Sequence, residues 1–232
     1  MSAPVAVVTG GSKGIGRAIA LGLLREGYRV VIAARDPQAL GAAQQALATA
    51  GEVLAVPCDV RDPQSCQELV ARAVAWGGRL DVLVHNAGVG IFKPVAEMTV
   101  EEFTEQLHTN LFAAFYLARA ALPHLLQSQG WVVHVASLAA RHPFAGGAAY
   151  CASKAGLVAF SECLMQEVRQ QGVRVAAVLP GSVDTTFAGN PTGASWKLAP
   201  EDVAQAVLGL LRFPPRALPS LIELRPSQPQ KR

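Results

Sequence analysis

Short apolar runs alternate with helix-like segments along nearly the whole chain, and this alternation restricts the fold more than any other feature. The runs are Val5–Val8, Arg29–Ala34, Val53–Pro57, Leu80–His85, Trp131–Ala136, Arg174–Leu179 and Leu221–Leu224. Between them apolar residues recur at helical spacing. Asp36-Pro37 and Asp62-Pro63 each read as an N-cap with proline in the first turn, and Thr99 with Glu102 as a capping box. Strand–helix alternation implies a parallel sheet covered on both faces. The expectation is an α/β, doubly wound parallel sheet of about seven strands, in one domain spanning 1–232 without linker or repeat. Ligands of such sheets bind beyond the carboxyl ends of the strands. Gly10, Arg35, Asp59, Asn86, Ser137 and Pro180 all fall at those ends.

Two motifs supply chemistry there. The first is Thr9-Gly10-Gly11-Ser12-Lys13-Gly14-Ile15-Gly16, set between the first strand and a helical pattern opened by Ile15, Ala18, Ile19 and Gly22. In a strand–turn–helix setting, glycines let the backbone approach a pyrophosphate, and the helix N-terminus offers free N–H groups. The second is Tyr150 with Lys154 four residues on, preceded by Ser137 at the end of a strand. Apolar positions from Ala152 to Arg169 predict a helix, which would stack Lys154 beside Tyr150. A nearby ammonium lowers a phenol's pKa, so Lys154 is expected to make Tyr150 a usable proton carrier. Two hydroxyls converging on one oxygen suit a carbonyl gaining a proton or an alcohol losing one.

In this order the motifs resemble the short, single-domain branch of the short-chain dehydrogenase/reductase family, from about Val5 to Leu224. The resemblance implies a Rossmann-type sheet and an enzyme similar to 3-oxoacyl thioester reductases. It implies a catalytic group of Asn110, Ser137, Tyr150 and Lys154, with Asn110 keeping a water near the lysine. It implies cofactor contacts from Gly10, Ser12, Lys13, Gly14, Ile15 and Gly16, from Asp59 and Val60, and from Asn86, Ala87 and Gly88. The Pro180-Gly181 turn, Val183 and Thr185 complete that set, with Tyr150 and Lys154 shared. His85 stands where the family often has asparagine, and is read as a tolerated variation rather than a base.

The second strand ends in Ala34 rather than an acid, followed by Arg35, with Lys13 in the glycine loop. Two cations and no acid favour a 2′-phosphate, hence NADP(H). Asp36 is assigned to the helix cap. The function expected is hydride transfer between nicotinamide and a carbonyl or secondary alcohol of a small molecule. The alternative is a non-catalytic dinucleotide sensor, which would not need Ser137, Tyr150 and Lys154 together. An epimerase of the family's longer branch is disfavoured by the Gly-x-x-x-Gly-x-Gly spacing.

Composition bounds the rest. The chain is 51% hydrophobic and 16% charged with a net charge of +3, which favours a large core and gives no basic tract for nucleic acid. Arg119 and His124 interrupt the apolar run Leu111–Leu126, so no membrane span is expected. With Val5 already opening a strand, the reading expects no signal peptide and a cytoplasmic protein. Cys58, Cys66, Cys151 and Cys163 lack metal-ligand spacing, so no metal is expected. Residues 186–199 are read as a lid, with Phe187 and Trp196 as contacts and His142, Pro143, Phe144, Gly146 and Gly147 opposite. Residues 226–232 are read as a frayed tail. The apolar helices at 100–127 and 150–170 predict a homotetramer or homodimer, and the resemblance implies the same contact.

Overall fold

Val5, Ala6, Val7 and Val8 are all fully buried, so the first strand has apolar layers on both sides. Ala6 and Val8 face one layer and Val7 the other, as strand alternation requires. The structure is a computed structural model that describes residues 3–228; the expected frayed tail lies largely outside them. Its strands are β1 (Val5–Thr9), β2 (Arg29–Ala34), β3 (Val53–Pro57), β4 (Val82–His85), β5 (Trp131–Val135), β6 (Arg174–Pro180) and β7 (Leu221–Leu224). All pair in parallel, in the order β3-β2-β1-β4-β5-β6-β7. Strand order reverses between β1 and β4, which opens a crevice at their carboxyl ends. This is the Rossmann-type sheet expected, in a single domain.

Helices α1 (Gly14–Arg25), α2 (Pro37–Leu47) and α7 (Pro200–Leu211) cover one face, burying Ile19, Leu23, Leu40 and Leu210. Helices α3 (Pro63–Gly77), α5 (Ala113–Ser128) and α6 (Ala148–Val168) cover the other with Leu69, Leu117, Leu125 and Leu164. Each such leucine contributes about 1.5–3 kcal/mol by leaving water. The caps form as expected. The Asp36 carboxylate accepts from the N–H groups of Gln38 and Ala39, and Asp62 from those of Gln64 and Ser65. Thr99 and Glu102 make a reciprocal capping box that opens α4 (Val100–Leu107).

The single helix expected from Val100 to Gln127 is interrupted. Between α4 and α5 lies a π-helical turn, His108–Phe112, with Asn110 fully buried at its centre. A π-turn shifts the hydrogen-bond ladder by one residue, an arrangement with no periodicity to read in a sequence. Among the described residues no helix is long and apolar enough to cross a membrane, and no group of His, Cys, Asp and Glu could hold a metal ion.

Candidate active site

The glycine turn is held open by β4's carboxyl end. Thr9 Oγ1 accepts from the N–H groups of Asn86 and Ala87, both at 3.1 Å, and Asn86 Nδ2 donates to Thr9 O and Gly10 O. Gly10 sits at φ +65°, and a Cβ on Gly16 would lie 2.2 Å from Gly10 O. Neither position can take a side chain without moving the turn. Ser12 and Lys13 ride on that turn, and Lys13 is exposed at the head of α1. No side chain caps α1, so its first N–H groups face outward with the helix's partial positive charge. Ile15 packs beneath against the core. Thr185, beyond the Pro180-Gly181 turn, reaches the loop: its Cγ2 would be 3.3 Å from a Cβ on Gly14. Val183 packs on the core and bridges to Leu198.

Helix α6 starts four residues before the expected span and includes Tyr150, so Tyr150 and Lys154 do share a face. Both are buried. Lys154 Nζ donates to Val135 O at 2.9 Å and borders Gly88. The Asn110 side chain satisfies the other side of this space. Its Oδ1 accepts from Val89 N–H at 2.8 Å, and its Nδ2 donates to Val89 O and to Ser153 Oγ, both at 2.9 Å. Ser153 Oγ in turn donates to Tyr150 O. Asn110 thus knits the β4–α4 loop to the turn of α6 that carries Lys154.

The electrostatics correct one expectation. Burial pushes the Tyr150 phenol up from its usual value, the adjacent Ser137 hydroxyl pulls it down, and Cys151 adds a smaller upward push. Lys154 does not offset this: its Nζ is 5.9 Å from the phenol ring centroid and is bonded to Val135. Burial also brings Lys154 down to about 8. The phenol is therefore held protonated, because desolvation of a full charge outweighs a cation at that distance.

Around the end of β2 the structure adds charges that the sequence did not place. Arg35 Nη1 lies 3.7 Å from Glu105 of α4, and Arg61 Nη1 is 3.5 Å from the same carboxylate. Asp59, expected to face adenine, is chelated by Arg61 through Nε at 3.0 Å and Nη2 at 2.6 Å. Two cations without an acid is thus too simple; ion pairs at this corner join two arginines, Arg35 and Arg61, to two carboxylates, Asp59 and Glu105. Val60 is buried in the core layer beneath α3 and α5.

Reasoning from sequence missed several residues here. Ser153, which links Asn110 to Tyr150 O, is the clearest, and Thr9 and His85, both noted in the motifs, had no structural role assigned to them. Neutral His85 is buried, with Nδ1 3.5 Å from Thr9 Oγ1 and Nε2 3.4 Å from Asn110 O. Burial, and next the Lys154 charge, push its imidazole down to about 3. That supports reading it as something other than a base. Its only sequence signal was its place at a strand end beside Asn86.

Residues 4–194 match the short chain dehydrogenase family. The protein belongs to that family. An uncharacterized oxidoreductase of Staphylococcus aureus is 36% identical over 225 residues, 96% of each chain. The alcohol dehydrogenase of the archaeon Thermococcus sibiricus, complexed with 5-hydroxy-NADP, superposes with a TM-score of 0.92 at 31% identity, covering 98% of this chain and 99% of that one. A metagenomic short-chain oxidoreductase in complex with NADP gives 0.87 at 36% identity, with the same coverage. This short-chain dehydrogenase is therefore an oxidoreductase, and its Ser137, Tyr150 and Lys154 gather at the carboxyl end of β5.

Proposed function

We propose that this oxidoreductase is NADP-dependent and moves a hydride between nicotinamide and a carbonyl or secondary-alcohol carbon. One observation carries the reading: a buried phenol with a serine hydroxyl beside it and a buried lysine one helical turn on. The residues fit a dinucleotide. The Gly10–Gly16 turn excludes side chains, α1 presents uncapped N–H groups, and Lys154 Nζ has donors beyond its bond to Val135. The bound cofactor supplies or takes the hydride. Tyr150 gives its proton to the substrate oxygen in reduction and receives it in oxidation. Ser137 orients that oxygen. Lys154 would hold the nicotinamide ribose, and its ammonium would favour the phenolate left on Tyr150 once the proton has gone to the substrate. Asn110 acts as a positioning residue for the water and lysine behind Tyr150.

Gly10, Ser12, Gly14, Ile15 and Gly16 would line the pyrophosphate, Asp59 and Val60 the adenine, and Asn86, Ala87 and Gly88 the ribose. Pro180, Gly181, Val183 and Thr185 would close over the nicotinamide, with 186–199 as the lid. NADP preference is supported by Ala34 in place of an acid, by Lys13 and Arg35, and by the NADP forms held by the two similar structures. Glu105 must release Arg35 for that contact. The test is an assay of NADPH and NADH oxidation over a ketone panel, and of the reverse reaction over the matching alcohols. Turnover lost in Tyr150→Phe supports the reading; full turnover in that variant removes it.

We further propose a homotetramer, or a homodimer, through the helices at 100–127 and 150–170. Phe103, Phe112 and Phe115 are exposed along the first of these, and pairing about a two-fold axis would cover them. Light scattering decides it: a mass of one 24.3 kDa chain at micromolar concentration overturns the assembly.

A further inference from the structure

Three phenylalanines from three separate loops form one cluster with the Tyr150 ring, two touching it directly and the third through Phe92. Phe92, between β4 and α4, stands edge-to-face to Tyr150 at 5.4 Å and 86°. Phe144, between β5 and α6, stands edge-to-face to Phe92 at 5.5 Å and 70°. Phe187, after β6, lies 5.8 Å from Tyr150 and tilted by 52°. The backbone is arranged around these rings. Lys93 N–H donates to Gly146 O at 2.9 Å, tying the first loop to the second. A Cβ on Gly90 would lie 2.8 Å from the Phe187 ring and 3.0 Å from Phe92, and one on Gly147 would lie 2.7 Å from Phe144. Two positions that lack side chains thus receive the rings. Only eight phenylalanines occur in 232 residues, so three in one cluster with the phenol is a concentration rather than a sample of the core.

The group is also unfinished. Phe92 is 43% exposed and Phe144 47%, although Tyr150 beside them is buried. Ala139 and Cys151 extend the wall with apolar and thiol surface. The cations of those two loops are occupied elsewhere, Lys93 by Glu102 and Arg141 by Glu223. A polyhydroxylated substrate would leave hydroxyls against these rings without partners. An anionic one would find both neighbouring cations already paired. A flat ring would meet both edges and faces of the phenylalanines, the arrangement in which aromatic pairs gain beyond simple burial.

Resting on the hydride-transfer reading above, we infer that Phe92 and Phe144 form a subsite for an aryl group, and that the substrates are aryl-bearing ketones or their alcohols. The ring lies against these side chains while the carbonyl oxygen meets Tyr150. Phe187 shifts from the phenol to admit it. Trp196, expected as a lid contact, has its ring 6.0 Å from the neighbouring Lys197 ammonium.

The test compares kcat/KM for phenylacetone and cyclohexylacetone with NADPH. The methylene insulates the carbonyl, so the two differ in ring character rather than in reactivity. Wild type is expected to favour the phenyl ketone roughly tenfold, the size of one to two well-made aromatic pairs. Phe92→Leu and Phe144→Leu should each bring the ratio towards one. A ratio cancels any general loss of activity, and both positions are half-exposed, so folding should survive. A wild-type ratio near one, a ratio unchanged in both variants, or a higher kcat/KM for dihydroxyacetone overturns the subsite while hydride transfer stands. No turnover of any ketone or alcohol with either cofactor overturns the hydride-transfer reading, and the subsite with it.

Discussion

The two ends of the proposed site are built on opposite physical terms. At the catalytic end Asn110, Ser153 and Lys154 are buried, and hydrogen bonds run from Asn110 to Val89 and Ser153 and from Lys154 to Val135. At the corner beyond β2, the Arg35, Asp59, Arg61 and Glu105 side chains are 34–51% exposed and held by ion pairs. A buried network has one satisfactory arrangement, because each broken bond leaves an unsolvated group. Exposed ion pairs contribute little and exchange partners with water or a ligand. On the proposed reading, the chemistry sits where geometry is over-determined, and cofactor choice where it is adjustable.

That contrast orders the expected effects. Tyr150→Phe should lower kcat by at least about 100-fold, the usual contribution of a general acid, with NADPH binding kept. Lys154→Met should cost a similar factor and also weaken cofactor binding, read by fluorescence titration. Asn110→Leu should strand the Val89 N–H and free Ser153, at about 2–4 kcal/mol of stability in urea unfolding. An unchanged midpoint would mean that the buried end is no more determined than the exposed one.

Effects at the exposed corner should be smaller and should act on binding alone. Arg35→Asp should weaken NADPH by about tenfold, or about 1.4 kcal/mol, and make NADH the better cofactor. Glu105→Gln should move NADPH affinity the other way by about two- to threefold, because the competing pair is screened. If Glu105→Gln weakens NADPH instead, the carboxylate belongs to the site rather than competing with it.

The smallest effect concerns pH. The folded imidazole of His85 is pushed down to about 3 from 6.5, so below pH 6.5 the unfolded chain binds the proton that the fold refuses. Its stabilising contribution is full above about pH 6.5 and is lost progressively as pH falls towards 3, amounting to under about 1 kcal/mol by pH 6. His134, also buried and lowered by desolvation first, adds to the same slope. His85→Asn should flatten stability against pH between 7 and 6, whatever it does to the absolute level. An unchanged slope would show that His85 is not responsible.

Most of the fold was readable in advance. Strands, caps and the placement of Gly10, Asn86, Ser137 and Pro180 at strand ends follow from periodicity and turn chemistry. The motifs also brought Tyr150 and Lys154 onto one helix face. Three things were not readable: the π-turn at Asn110, the direction in which Tyr150 titrates, and the charges facing Arg35. The first depends on an Asn110–Val89 pairing across 21 residues. The second depends on how fully Phe92 and Phe187 help to cover the phenol. The third depends on α4 bringing Glu105 to a strand end far from it in sequence.

Hydrophobic pattern is a property that each residue carries wherever it goes, and its period alone selects strand or helix. That is why the alternating α/β order and the glycine turn were set by the sequence itself. A polar or aromatic side chain acts through its partner, and partners here lie on different elements. Lys154 meets Val135, Arg35 meets Glu105, and Phe92 meets Phe144 and Tyr150 only once the sheet has stacked its loops at one edge. Proton affinity, ion pairing and the shape of the wall around Tyr150 are sums over such neighbours, so only the tertiary structure could decide them.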